Sequence, residues 1–122
     1  MIKTSKSFDL EERTAKFGES TINFSTRLEQ NVISKPIISQ LVRASTSIGA
    51  NYMEANGASS KKDFANKISI CKKEAKETLH WLRMIKQCFP EKREEIKELW
   101  GECMQLVLIF SKISLSISRN KN

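Results

Sequence analysis

Along most of the chain, apolar residues return at every third or fourth position, the spacing that keeps one face of an α-helix apolar. The pattern falls into four consecutive segments, parted near Pro36, Gly57 and Pro90. The first spans about Phe8 to Gln30, with a D-x-x-E start at Asp9 and Glu12 and a stripe of Leu10, Phe17, Phe24 and Leu28. Gly18 weakens it locally without ending it. The second opens at Pro36, whose fixed φ suits a first helical turn, and carries Ile37, Leu41, Ala44, Ile48, Tyr52 and Ala55 to a stop near Gly57. The third starts after Ser60, which makes an S-x-x-D start with Asp63. It turns Phe64, Ile68, Cys71, Ala75, Leu79, Leu82 and Ile85 to one side until Pro90 ends it. The fourth runs from about Glu91 to Ser118, with Ile96, Leu99, Trp100, Cys103, Val107, Phe110, Ile113 and Ile117 inward. Its first turns are acidic, as the helix dipole favours.

Connections this short make successive helices antiparallel, so the predicted fold is all-α, an up-down-up-down four-helix bundle over residues 8–118. Residues 1–7 and 119–122 are expected to be short, disordered basic tails. A chain of 122 residues suits one domain, and four Gly and two Pro are too few breakers for an all-β fold. Two helices carry more apolar surface than one core needs. The third adds Ile70, Trp81, Met84 and Cys88, and the fourth adds Met104, Leu108 and Leu115, which predicts either a wide core face or a self-association surface.

The net charge of +7 favours encounter with polyanions. It is concentrated: residues 61–86 hold eight Lys or Arg against three acids, while the first and fourth helices are slightly acidic. Steps of three and four along the third helix give Lys62, Asn66, Ser69, Lys73, Lys76, His80, Arg83 and Gln87, a polar and mainly basic stripe. Lys62, Lys73, Lys76 and Arg83 are the candidate phosphate contacts, with Lys3, Lys6, Arg119 and Lys121 as helpers. In the second helix Arg43, Ser47, Asn51 and Glu54 form one polar row. Their expected role is structural, with Arg43 pairing to Glu74 or Glu77 and Ser47 or Asn51 bonding across helices or subunits.

No reaction chemistry emerges. Glu77 and His80 form a Glu-x-x-His step of the kind di-iron bundles use, but such sites need two histidines and His80 is the only one. No Gly-rich phosphate loop, H-E-x-x-H or nucleophile elbow is present, so the expectation is a protein that is not an enzyme, without cofactor or metal. Three cysteines without CxxC spacing suggest reduced thiols. The N-terminus lacks a signal-peptide h-region, and the longest apolar run, Leu106 to Phe110, is too short to span a bilayer. A cytoplasmic protein with no membrane attachment is expected.

The run from Arg43 to Ala55, R-A-S-T-S-I-G-A-N-Y-M-E-A, resembles the R-A-x-x-S-I-x-x-N core, with its following acid, of the four helix bundle or 23S rRNA intervening-sequence protein family. Ser60 to Phe64 is similar to that family's start of the third helix. Lys73 to Leu82, K-E-A-K-E-T-L-H-W-L, is similar to its K-E-A-x-E-[TS]-x-x-W-L version. The resemblance covers nearly the whole chain. The sequence departs after Glu54, where the common I-A-E-G is absent.

The resemblance implies a left-handed bundle assembled as a homopentameric ring, and a nucleic-acid-binding role, RNA before DNA, through phosphates rather than bases. It also implies a possible protein partner, since related proteins serve as accessories to reverse transcriptases of retroelements. The competing expectation is a protein-interaction scaffold for a reverse transcriptase or a ribosomal component.

Overall fold

A computed structural model describes residues 9–119, and the tail positions Lys3, Lys6 and Lys121 lie outside them. The described chain forms α1 (Leu10–Ser25), α2 (Ser34–Asn56), α3 (Lys61–Cys88) and α4 (Arg93–Arg119), with a single 3₁₀ turn at Pro90–Lys92. Among the described residues there is no strand. The helices make a four-helix bundle in which α1 packs on α2 and α4, and α3 packs on the same two from the opposite corner. Cross-links show the antiparallel runs: Arg13 of α1 and Arg27, just beyond its end, meet Glu102 and Glu95 of α4 in reverse order. Arg43 and Glu54 of α2 likewise meet Glu77 and Lys67 of α3.

Side-chain caps set two helix starts. Asp9 accepts from the Glu12 amide at 3.1 Å and Ser60 accepts from the Asp63 amide at 3.0 Å, each satisfying a donor the helix leaves free. The core is one apolar cluster, filled by Phe17, Leu41, Ile48, Ile68, Leu82, Ile85, Leu106 and Phe110 among others. Thr14, Thr21 and Thr78 are buried beside it because each hydroxyl bonds a carbonyl four residues back on its own helix.

Helix ends differ from expectation in four places. α1 stops at Ser25 rather than near Gln30: the amides of Thr26, Arg27 and Leu28 fold back onto Ile22, Phe24 and Ser25, and Leu28 still reaches the core from outside the helix. α2 begins at Ser34, two residues before Pro36. The Asn31 carboxamide accepts from the Ile33 and Ser34 amides at 2.9 Å, and the Ser34 hydroxyl donates to Glu29 O at 2.8 Å. Pro36 therefore sits inside the first turn, where its missing N–H costs no bond. α4 begins at Arg93 because Pro90 first makes the 3₁₀ turn, and Arg119, expected in a tail, is its last residue.

The surplus apolar residues also divide. On α3, Ile70, Trp81, Met84 and Cys88 are half-buried within the chain. On α4, Met104, Leu108 and Leu115 are exposed, and so is Trp100, expected inward. Pro90–Arg119 is long and apolar enough, by length and composition, to cross a membrane, which a count of contiguous apolar residues misses. In the bundle its Ile96, Leu99, Cys103, Leu106 and Phe110 are instead core residues.

Candidate nucleic-acid interface

The stripe on α3 follows from its wheel: with Ile68, Cys71, Ala75, Thr78, Leu82 and Ile85 buried, residues on the far side must face solvent. Lys62, Asn66, Ser69, Lys73, Lys76, His80, Arg83 and Gln87 are all exposed. Among the described residues, Lys67 is the only α3 cation in an ion pair, with Glu54 at 2.8 Å. The other seven, which include the four candidate phosphate contacts and also Lys61, Lys72 and Lys86, carry uncompensated charge.

Two of the three acids of α3, Glu74 and Glu77, are paired instead. Arg43 donates to Glu74 at 3.2 Å and also to Glu77, while its Nε donates to Gln40 at 3.0 Å. Partial burial disfavours the Arg43 charge, but the bond to Glu77 and the nearness of Glu74 outweigh it, so its pKa is raised. Glu74 is itself buried, and a carboxylate there needs this partner. Arg43 thus offsets one of the two negative charges at the edge of a basic face and holds both carboxylates in place. Ser47 and Asn51 depart from expectation: the Ser47 hydroxyl donates to Ala44 O and the Asn51 amide donates to Ser47 O, so both bond within α2 rather than across helices.

The opposite flank carries the acids. Between α1 and α4, Arg13 holds Glu102 with two bonds of 2.7 and 3.0 Å, and Arg27 holds Glu95 at 2.7 Å. The Glu95 pKa is lowered by that hydrogen bond, and the Arg13 pKa is raised by its bond to Glu102. Glu95, Glu98 and Glu102 line a groove of 530 Å³ there. A second groove, of 1070 Å³, lies where the start of α3 meets the end of α4, with Phe64, Ala65 and Ile117 beside Lys61 and Lys62.

Other reactive groups are occupied or inert. Glu77 of the Glu-x-x-His step is engaged by Arg43, and His80 lies edge-on to Trp81 at 4.8 Å between ring centres. Burial pushes the Cys71 and Cys103 thiols up to about 12, and each donates to a backbone carbonyl of a neighbouring helix.

The family model described as 23S rRNA-intervening sequence protein matches residues 6–112. The chain belongs to that family. A solved structure from Bacteroides thetaiotaomicron, a protein of unknown function from the S23 ribosomal protein family, is similar at 28% identity with a TM-score of 0.76. The match covers 86% of this chain and 97% of that one. Comparison with curated proteins finds no match. Neither the family description nor that of the solved relative names a catalytic activity. The sequence pattern misplaces Trp100, whose spacing points inward but which is 37% exposed.

Proposed function

We propose that this member of the 23S rRNA-intervening sequence protein family is a non-catalytic, homo-oligomeric nucleic-acid-binding accessory protein that grips phosphates through the basic face of α3. The observation that carries the reading is the row of unpaired cations, Lys62, Lys73, Lys76 and Arg83, on a helix whose own acids Glu74 and Glu77 are taken by Arg43. A polyanion of regular charge spacing, RNA before DNA, suits such a row because release of its counterions drives binding without base contacts. Self-assembly is supported by Met104, Leu108 and Leu115, exposed on one side of α4. The family resemblance implies five copies, and a ring would multiply weak phosphate contacts by avidity.

The test is the triple charge reversal K73E/K76E/R83E, assayed by gel shift with a generic structured RNA in low and moderate salt. Affinity is expected to fall at least about tenfold, and the slope against log salt to flatten by about one unit for each phosphate the variant no longer holds. Unchanged RNA affinity would refute the reading. The uncovered α4 face favours the competing reading, a scaffold for a protein partner such as a reverse transcriptase, whose apolar interface would be nearly indifferent to salt.

A further inference from the structure

We propose that the flank shared by α3 and α4 is a seat for single-stranded nucleic acid, with Trp100 as a platform for one base and Lys76, Arg83 and Lys97 as its phosphate partners. The inference rests on the phosphate-binding reading above and narrows it to strand type.

Register brings these residues to one level. The Cys103 thiol donates to Ala75 O at 3.2 Å, which fixes how α4 runs against α3. The helices are antiparallel, so Trp100, one turn before Cys103, lies level with Leu79, one turn after Ala75. On α3 the row that borders α4 from outside is Lys72, Lys76, Leu79 and Arg83, at steps of four, three and four. On α4 the corresponding row is Lys97, Trp100 and Met104. No ion pair among the described residues involves Lys72, Lys76, Arg83 or Lys97. The acids Glu95, Glu98 and Glu102 of α4 turn the other way, into the groove with α1.

Trp100 is 37% exposed and its ring has no aromatic partner among the described residues. The aromatic pairs among the described residues are Tyr52 with Phe110 and His80 with Trp81, and the one cation over a ring is Arg27 on Phe24. Trp100 therefore has neither a stacked ring nor a capping guanidinium, although cations stand on both helices beside it. A partly exposed indole set among unpaired cations suits an unstacked base and its flanking phosphates, whereas a duplex keeps its base faces hidden.

The experiment uses the full chain and tryptophan emission, titrated with a short oligouridylate and with a duplex RNA at low salt. Trp81 has its Nε1 buried and supplies a background, so quenching reports mainly Trp100. The expected result is quenching of the wild type by the single strand and, by anisotropy of a labelled oligouridylate, a loss of about 10- to 100-fold in its affinity in W100A. W100F retains most of that affinity, and duplex binding is the same in all three proteins. The salt slope is expected to flatten in K76A or R83A and to stay constant in W100A. Oligouridylate binding unchanged in W100A overturns the platform while leaving the phosphate reading intact. Collapse of W100A to a monomer by light scattering also overturns it, because the ring would then belong to a contact between copies. A wild-type protein that binds neither RNA removes the phosphate reading and the seat together.

Discussion

Arg43 projects from α2 over two carboxylates that would otherwise weaken the basic face of α3. Its two bonds differ in consequence. The Glu77 side chain is 44% exposed and water can replace the guanidinium, whereas that of Glu74 is 11% exposed and has little other solvation. Truncation by R43M should therefore cost about 1–2 kcal/mol of stability, most of it through Glu74. It should also weaken RNA binding, since the edge of the phosphate row becomes one unit more negative. Adding E74Q to R43M should restore most of the stability in urea unfolding, because a neutral amide is far cheaper to bury than an unpaired carboxylate. If E74Q gives no recovery, the cost lies in weaker packing of the Arg43 stem instead.

At the scale of the element, α1 and α2 come together where side chains are smallest. A Cβ placed on Gly49 would meet the Thr14 hydroxyl at 3.2 Å, and that hydroxyl is held by the carbonyls of Leu10 and Glu11. Gly101 of α4 has open space instead. Ala is favoured over Gly within a helix by about 1 kcal/mol, so G101A should raise the urea midpoint by about 0.5–1 kcal/mol equivalent. G49A should lower it by about 1 kcal/mol despite the same intrinsic gain, since displacing Thr14 disturbs a fully buried bond. Equal stabilisation by both would mean that α1 yields easily. Helix number, order and inward faces followed from the three- and four-residue spacing, and the Asp9 and Ser60 caps from their local motifs. The end of α1 did not, because Leu28 keeps the helical spacing of the stripe after the backbone has left the helix. The start of α2 depends on Asn31 and Ser34 bonding each other's backbone, which a reading anchored on Pro36 passes over. The exposure of Trp100 arises from how far α3 covers α4, a tertiary quantity that the wheel of α4 alone does not contain.

Over the whole molecule, charge and apolar surface are sorted by side. Ion-paired acids occupy the α1–α4 flank, free cations cover α3, and the exposed apolar residues of α4 lie between. The lengths of the helices contribute to this arrangement. The 16 residues of α1 span about 24 Å and the 27 of α4 about 40 Å, so the later turns of α4 run past the end of α1. Leu108 and Leu115, 50% and 52% exposed, lie in that overhang. Two leucines standing out from the overhang, with Met104 a turn earlier, suit a partner surface better than open water. If that partner is another copy, the wild-type protein should elute as a multiple of 14.0 kDa at micromolar concentration, and L108K/L115K as a monomer. The double variant should keep its helical circular dichroism, because neither leucine contributes to the core. Its RNA binding should weaken more than the missing apolar surface can explain, since linked copies share one strand and single copies do not. A wild-type monomer would detach the apolar face from self-assembly and assign it to a different protein.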